Sequence, residues 1–277
     1  MPVVDIIIST YNRPKALKHA IESVLSQTFQ DWHCWVCEDG NEKTIKDLLL
    51  SFQDSRLSYV FGTHCGYPSI PRNRGIVSGK SKYISFLDDD DYWMPNKLEL
   101  QIAFFDKNPQ FSILGSNAYN KHSEKSNNIS KMGKYLELNR SSFFFSDLLK
   151  SNIIIHSSAI IKRDTLSKTG LFNEAPNFKA MEDYELWLRI ALFGIIFIFN
   201  EPLLVYTNVP HSSIRKEEID ISVVYKAIAN FTNNTKIPYT NIVTNIAIKI
   251  LCNIYASKMP IYIKTKIIKI LELLSKI

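Results

Sequence analysis

Short apolar runs alternate with segments of helical periodicity along the first 105 residues of the chain. The apolar runs predict four strands, at Val3–Ser9, Trp32–Cys37, Leu57–Phe61 and Tyr83–Leu87. The helical periodicity predicts helices at Ala16–Leu25, Thr44–Phe52, Arg72–Val77 and Lys97–Phe105. Both faces of the predicted strands are apolar, which is typical of a parallel sheet covered by helices on both sides. We therefore predict an α/β fold.

The pattern is less regular in the second half of the chain. It predicts strands at Ser112–Asn117, Ile153–Ile161, Ile195–Phe199 and Leu203–Tyr206. It also predicts a short helix at Phe143–Leu149 and an amphipathic helix at Met181–Leu192, and the segment Lys121–Arg140 is polar and loop-like. Ile- and Lys-rich helical segments follow from about residue 217. We predict one domain over residues 1–216, with halves at 1–117 and 118–216, and a helical extension over residues 217–277.

The order of elements in the first half is that of a doubly wound, Rossmann-like sheet. A dinucleotide-binding enzyme of this kind carries Gly-x-Gly-x-x-Gly after its first strand. In this chain Ser9-Thr10-Tyr11-Asn12 follows the first strand instead, so we do not expect a dehydrogenase.

Charge is distributed unevenly between the domain and the extension. Residues 221–277 contain eight Lys, no Arg and a single acidic residue, Glu272, which gives a net charge of +7. The whole chain carries +6, so the first 220 residues carry −1. Because the main domain is not basic, we expect no nucleic-acid partner.

The end of the extension has the pattern of an amphipathic helix. One stripe of the helix is apolar and consists of Ile263, Ile267, Ile270, Leu274 and Ile277. The opposite side is mostly polar and consists of Thr265, Lys269, Glu272 and Lys276. A Lys-rich amphipathic helix is suited to an anionic membrane surface. The alternative is a helix that packs on the domain or on a second subunit.

The sequence carries no signal for secretion or for a membrane span. Met1 leads directly into the first strand pattern, without the charged and then apolar segments of a signal peptide. Charge-free apolar runs such as Ile190–Asn200 are shorter than the ~20 residues that a spanning helix requires. We predict a cytoplasmic protein, peripheral on the inner face of the cytoplasmic membrane if the extension binds lipid.

Four consecutive carboxylates, Asp88–Asp91, follow the predicted strand Tyr83–Leu87. Like charges this close raise one another's pKa, and a bound divalent cation relieves the repulsion. Ligands of open α/β sheets bind beyond the carboxyl ends of the strands, where this run lies. The run predicts a magnesium or manganese site, and the alternative is a solvated acidic loop.

Other candidate residues lie at strand and helix ends. Asp39 follows the second strand, where a carboxylate can bind a base or ribose, or can simply belong to a turn. Arg72 and Arg74 begin a helix, where guanidinium groups and free backbone N–H groups are suited to a diphosphate, or can simply form a charged first turn at the surface. Asp183 lies in the first turn of the amphipathic helix. It can act as a general base, or it can simply compensate the dipole of the helix.

Together these motifs resemble the family 2 glycosyltransferases, which have the GT-A fold. The resemblance covers about residues 3–215 and rests on Ile6-Ile7-Ile8-Ser9-Thr10-Tyr11-Asn12-Arg13, Glu38-Asp39-Gly40-Asn41, Arg72-Asn73-Arg74-Gly75, Phe86-Leu87-Asp88-Asp89-Asp90-Asp91 and Glu182-Asp183-Tyr184-Glu185-Leu186-Trp187. It implies transfer of a sugar from a nucleotide-diphosphate donor to an acceptor hydroxyl, with inversion at the anomeric carbon. The halves 1–117 and 118–216 would then bind the nucleotide and the acceptor.

The resemblance also assigns roles to individual residues. Asp183 is the catalytic base that it implies. The nucleotide sugar, expected to be a UDP-sugar, would be bound by Thr10, Tyr11, Arg13, Asp39, Arg72, Arg74, Asp88 and Asp89. Mn²⁺ or Mg²⁺ would be held by Asp88, Asp90 and His211, although the sequence around His211 departs from the family's pattern. Glu38, where many members have Asp, is a further departure.

The implied enzyme is a hexosyl- or N-acetylhexosaminyltransferase. Its acceptor would be a saccharide or lipid-linked saccharide in the synthesis of a bacterial-type surface polysaccharide, lipopolysaccharide or lipid-linked oligosaccharide. Two alternatives are a nucleotidyltransferase and a catalytically silent nucleotide-binding scaffold subunit. A nucleotidyltransferase usually has a Gly-rich phosphate loop after its first strand, and a silent scaffold would have lost acidic residues such as Asp88, Asp90 and Asp183 that are present here.

Overall fold

The computed structural model describes residues 1–121, 129–131, 141–207, 220–235 and 250–257. The strands are β1 Val4–Thr10, β2 Trp32–Glu38, β3 Leu57–Val60, β4 Tyr83–Asp88, β5 Tyr92–Trp93, β6 Phe111–Lys121, β7 Ile129–Lys131, β8 Ser142–Phe143, β9 Ile160–Lys162 and β10 Ile195–Thr207. The helices are α1 Pro14–Leu25, α2 Lys43–Ser51, α3 Ser69–Ser78, α4 Lys97–Lys107, α5 Phe145–Leu148, α6 Arg163–Thr169, α7 Glu182–Ala191 and α8 Ser222–Asn234. Residues 250–256 are also helical, and short 3₁₀ turns lie at His156–Ser158 and Pro176–Phe178.

These strands form one sheet in the order β3-β2-β1-β4-β9-β6-β10-β5, with β7 beside β6 and β8 beside β10. Strands β1 to β4 are mutually parallel, and β6 and β10 form a second parallel pair. Strand β9 runs antiparallel between β4 and β6 and so joins the two parallel groups. The predicted α/β fold with a mostly parallel central sheet is confirmed.

Two strand predictions in the second half are wrong. The apolar run Ile153–Ile161 forms a strand only from Ile160, because Ser157 and Ser158 lie in a 3₁₀ turn. The two strands predicted after residue 194 are one strand, β10, with shifts of register between Phe199 and Val205. Strand β6 extends to Lys121, so the predicted division between residues 117 and 118 falls inside it.

The core explains how α3 reaches the carboxyl ends of the strands. All seven residues of β1 are buried, as expected for a strand covered on both faces. Gly75 allows α3 to approach this layer closely, since an added Cβ would lie 2.4 Å from Cys37 Sγ and 3.1 Å from Ile7 Cγ2. This close packing places Arg72, one turn earlier in α3, beside the end of β4.

The described part of the predicted extension packs on the domain. Val224 and Ile228 of α8 are fully buried, and the Tyr225 hydroxyl donates a hydrogen bond to the Leu149 carbonyl at 3.1 Å. The stripe of residues 263–277 lies outside the described residues, as does His211. In the ranges that are described, no helix combines the length and the apolar character needed to cross a membrane.

A buried carboxylate, Asp5, connects the sheet to α6. It is 1% exposed and accepts hydrogen bonds from Trp35 Nε1 at 3.0 Å, the Ser81 backbone N–H at 2.7 Å and Arg163 at 2.6 Å. Buried charges are tolerated when they are paired and hydrogen-bonded in this way.

We expect Asp5→Ala to lower the free energy of unfolding by about 3 kcal/mol, because it leaves the Ser81 and Trp35 donors without their buried acceptor. Urea denaturation followed by circular dichroism measures this loss. Glu22→Gln is the control, since the exposed Lys18–Glu22 pair at 3.8 Å is expected to contribute about 0.5 kcal/mol or less. A loss below 1 kcal/mol for Asp5→Ala would contradict the structural role.

Candidate functional site

The predicted site residues of the first half converge at the carboxyl ends of β1, β2 and β4. A cleft of about 400 Å³ opens there and is lined by Ser9, Thr10, Tyr11, Arg13, Asp39, His64, Gly66, Tyr67, Pro68 and Pro71. The structure therefore brings together four of the predicted nucleotide-binding residues in one cavity. Its aromatic and proline surfaces, with a carboxylate at one end, suit a flat and partly polar ligand.

Asp39 is held by the loop that follows β3. Its Oδ1 accepts the Cys65 backbone N–H and its Oδ2 accepts the Gly66 backbone N–H, both at 2.8 Å. Burial works against ionisation of this carboxyl, but the hydrogen bonds from Cys65 and Gly66 outweigh it and lower its pKa. Asp39 is thus a fixed anion that accepts hydrogen bonds from whatever faces it.

Asp89 supports the part of the cleft wall that Thr10 and Arg13 form. It is completely buried, accepts a hydrogen bond from the Thr10 hydroxyl at 2.6 Å, and forms an ion pair with Arg13. Burial raises the pKa of Asp89 to about 7 although Arg13 opposes the shift. Asp89 therefore lies behind Thr10 and Arg13, whereas sequence reasoning grouped all three as direct nucleotide contacts.

Asp90 lies at the surface of the acidic loop, which is the run of four carboxylates Asp88–Asp91. Its Oδ2 accepts a hydrogen bond from Arg13 at 2.9 Å, and the residue is partly exposed. Burial and the charge of Asp88 raise the pKa of Asp90. A cation bound at this loop would relieve that repulsion.

Hydrogen bonds of Asp91 and Ser157 fix the conformation of the acidic loop. The Ser157 hydroxyl donates to Asp91 Oδ2 at 2.5 Å and accepts the Asp88 backbone N–H at 3.0 Å. The other oxygen of Asp91 accepts the Thr207 backbone N–H at 2.8 Å. Asp91, fully buried, is a structural member of the run, and it links the loop to the end of β10.

Arg72 connects the acidic loop to α7. Its guanidinium donates to Asp88 Oδ1 at 2.7 Å and to Glu182 Oε1 at 2.6 Å. Burial opposes ionisation of Asp88, but the charges of His156 and Arg72 lower its pKa to about 2. Since burial lowers the pKa of His156 to about 3, His156 is uncharged at neutral pH, and Arg72 together with Arg13 keeps Asp88 ionised there.

Asp183 is next to Glu182 in the first turn of α7 and is partly exposed. Its Oδ1 accepts the Tyr184 backbone N–H at 2.6 Å. Burial and the neighbouring Glu182 carboxylate raise the pKa of Asp183 to about 7, against the effect of Arg72. A carboxylate of this pKa can accept a proton near neutral pH, which is what a general base requires.

Two predicted site residues do not join this arrangement in the described structure. Arg74 is directed away from the acidic loop, since it donates to the Glu38 carbonyl at 3.0 Å and to the Thr63 carbonyl at 3.4 Å. It braces the strand end and loop around Asp39. His211 lies outside the described residues.

Sequence reasoning missed several residues of the site. His64 lines the cleft, Ser157 fixes the acidic loop, and His156 lies 3.8 Å from Asp88. Gly66 and Pro68 mark a loop in the sequence, but no periodic pattern indicates that this loop folds over Asp39. The polar residues His156, Ser157 and Ser158 within an apolar run are the local signal of the turn at Ser157.

The donor set of the acidic loop fits a divalent cation bound together with a phosphorylated ligand. Within the described ranges, no group of three His, Cys, Asp or Glu side chains could hold a metal. Asp88 and Asp90 each use one oxygen for an arginine and can offer the other. Magnesium commonly binds through one or two carboxylates plus substrate phosphates, so two carboxylates suffice if the ligand supplies the rest.

Comparison with known proteins identifies the family to which the chain is similar. The model of the glycosyl transferase family 2 matches residues 5–170 of the chain. An uncharacterized glycosyltransferase of Rickettsia felis is 34% identical over 192 residues, which cover 68% of this chain and 30% of the relative. The chain therefore spans only about a third of that relative's length.

A relative of closer length comes from Escherichia coli. It is the UDP-Glc:alpha-D-GlcNAc-diphosphoundecaprenol beta-1,3-glucosyltransferase WfgD, 31% identical over 188 residues that cover 68% of this chain and 69% of the relative. Among solved structures, S. aureus TarS 1-349 in complex with UDP-GlcNAc is similar, with a TM-score of 0.71, 18% identity, and coverage of 91% of this chain and 72% of that one. At that identity the likeness shows the fold.

A more distant solved structure contains a metal. The mannosyltransferase PcManGT from Pyrobaculum calidifontis, in complex with GDP-Man and Mn²⁺, has a TM-score of 0.57 and 15% identity, and covers 92% of this chain and 72% of that one.

We expect Glu182→Gln to lower the pKa of Asp183 by about one unit, because it removes a neighbouring negative charge. Carbon-13 NMR of the aspartate carboxyl groups measures the titration, and Asp183→Asn assigns the signal. Glu201→Gln, an exposed change on β10, is the control and should leave the titration unaltered. An unchanged Asp183 pKa in Glu182→Gln would contradict the electrostatic coupling.

Proposed function

The chain belongs to glycosyl transferase family 2, and on that basis we propose that it is an inverting glycosyltransferase with a nucleotide-diphosphate sugar as donor and a saccharide hydroxyl as acceptor. The observation that carries the proposal is the junction formed by Arg72. It joins Asp88, the last residue of β4, to Glu182, the neighbour of a carboxyl with a pKa of about 7. Donor binding and proton removal would thus take place at two ends of one site.

The cleft would bind the nucleoside of the donor. Tyr11 supplies an aromatic face, and Asp39 supplies a fixed acceptor for an N–H of the base. Uracil and guanine offer such an N–H in the ring, whereas cytosine has an acceptor in the same position. We propose uridine, which the names of the E. coli relative and the TarS complex also favour.

Asp183 would act as the general base. It would take the proton of the acceptor hydroxyl while the hydroxyl oxygen attacks the anomeric carbon from the face opposite the diphosphate. The bond between that carbon and the diphosphate oxygen breaks, and its electron pair leaves with the diphosphate. Attack from the opposite face inverts the anomeric configuration.

Asp88 and Asp90 would hold Mn²⁺ or Mg²⁺ at the diphosphate. When bound, the cation would act as a Lewis acid and stabilise the charge on the departing diphosphate. Arg13 lies beside Asp90, and Arg72 lies beside Asp88, so both guanidinium groups are close to the proposed diphosphate position. His211 remains a candidate third ligand on sequence grounds alone.

The acceptor we propose is a saccharide or lipid-linked saccharide of a surface polysaccharide, and the transferred group is a hexose or N-acetylhexosamine. The name of the E. coli relative, which acts on a diphosphoundecaprenol-linked sugar, supports a lipid-linked acceptor. The Lys-rich amphipathic segment of residues 263–277 would place the enzyme on the inner face of the membrane that carries such an acceptor.

We expect one UDP-sugar to raise the melting temperature of the protein by several degrees in the presence of Mn²⁺ or Mg²⁺, since ligand binding stabilises the folded state by mass action. Differential scanning fluorimetry with a panel of nucleotide sugars measures the shift. Asp90→Ala should abolish the metal-dependent part, whereas Asp106→Ala, which changes an exposed acid of α4, should not. If no nucleotide sugar or free nucleoside diphosphate bound with either metal, the proposed function would be wrong.

We expect the rate of slow hydrolysis of the bound donor to rise about tenfold for each unit by which the pH increases up to about pH 7, and to level off at higher pH. The reason is that Asp183 must be ionised to accept a proton. Asp183→Asn should lower this rate by roughly 10²- to 10⁴-fold and remove the pH dependence, while leaving donor binding intact. Liberated UDP is the readout, and titration calorimetry checks binding. Near-normal turnover in Asp183→Asn would rule out this base.

A further inference from the structure

His64 occupies the part of the cleft between Tyr11 and Asp39. Its ring is stacked on that of Tyr11, with 4.1 Å between centroids and 15° between planes. Its Nδ1 lies 2.9 Å from Asp39 Oδ2 and 3.0 Å from the Asp39 carbonyl oxygen. Because an ionised carboxylate and a carbonyl only accept hydrogen bonds, Nδ1 must carry the proton.

This arrangement is the one that a bound nucleobase would adopt. A base needs an aromatic face to stack on and an acceptor for its N–H, and His64 uses both at once. We infer that His64 is an internal occupant of the base site, which the base of the donor displaces, so that His64 sets the affinity for the nucleotide. The inference rests on the proposed function and concerns a residue to which that function assigns no role.

His64 is the contact of Asp39 that can leave most easily. The side chain is 47% exposed, and the hydrogen bonds described for its ring go to Asp39 alone. The other acceptor positions of Asp39 are filled by the Cys65 and Gly66 backbone N–H groups and by the Cys65 thiol. Those donors belong to the loop that positions the carboxylate, so they would remain while the imidazole moves out.

Displacement exchanges one stacked ring for another and one N–H···O bond for another. The nucleotide therefore binds more weakly than it would to an empty site, by the free energy that His64 gains from Tyr11 and Asp39. Aromatic stacking of this kind corresponds to roughly a two- to tenfold change in a dissociation constant. If His64 instead stayed in place and extended the stack, its removal would weaken binding.

The test is titration calorimetry of UDP with Mn²⁺ on the intact protein. We expect His64→Ala to bind UDP about two- to tenfold more tightly than the unchanged protein. The matched control is His19→Ala, which removes an exposed histidine from α1 and should leave the affinity unchanged. Equal or weaker binding by His64→Ala would overturn the inference and leave the proposed function standing.

A second measurement follows the ring itself. Proton NMR of His64, assigned by its absence in His64→Ala, should show signals shifted upfield by the Tyr11 ring, and UDP should return them towards the values of an unstacked histidine. Retention of the upfield shift in the UDP complex would overturn the displacement. Failure of UDP to bind both the unchanged protein and His64→Ala would instead count against the nucleotide site, and the inference would be withdrawn with it.

Discussion

The guanidinium of Arg72 is buried, with 5% of the residue exposed, and it lies between the carboxylates of Asp88 and Glu182. A buried cation is stable only when anions and hydrogen bonds replace its water, and these two carboxylates do so for the two terminal nitrogens of Arg72. The reverse also holds, because Asp88, Glu182 and Asp183 would repel one another without a cation among them. The acidic loop and the start of α7 therefore depend on one ion-paired junction.

Burial and neighbouring charges give two carboxylates near this junction different pKa values. The charges of His156 and Arg72 lower the pKa of Asp88 to about 2, whereas burial and the Glu182 carboxylate raise the pKa of Asp183 to about 7 although Arg72 opposes the shift. A carboxylate that stays ionised suits the binding of a cation, and one that titrates near neutral pH suits proton transfer. The environment thus gives two aspartates different pKa values, which the proposed function assigns to different roles.

The parallel strands of the first half could be predicted from the sequence because strands buried on both faces appear as uninterrupted apolar runs. The topological rule for such sheets then places Thr10, Asp39 and Asp88 at one edge, as observed. The second half was harder, since Ser157 interrupts an apolar run to make side-chain hydrogen bonds that no periodicity reveals.

Contacts between distant segments also escaped sequence reasoning. Arg72 and Glu182 are 110 positions apart, and only the packing of α3 and α7 shows that they pair. His64 stacks on Tyr11 because the loop after β3 folds over Asp39. The family motifs indicated which residues take part, but they did not show two supporting contacts. Asp89 contacts Thr10 and Arg13, and Arg74 contacts the backbone around Asp39.

In the proposed function, Arg72 serves both the donor end and the base end of one site. The most direct measurement is the hydrolysis of a UDP-sugar by Arg72→Lys, with donor concentration varied and folding checked by circular dichroism. Lysine keeps the charge but cannot donate to Asp88 and Glu182 in the geometry of the guanidinium fork. We expect a folded variant with both weaker donor binding and slower turnover at saturating donor. Unchanged turnover at saturating donor would show that Arg72 does not serve the base end.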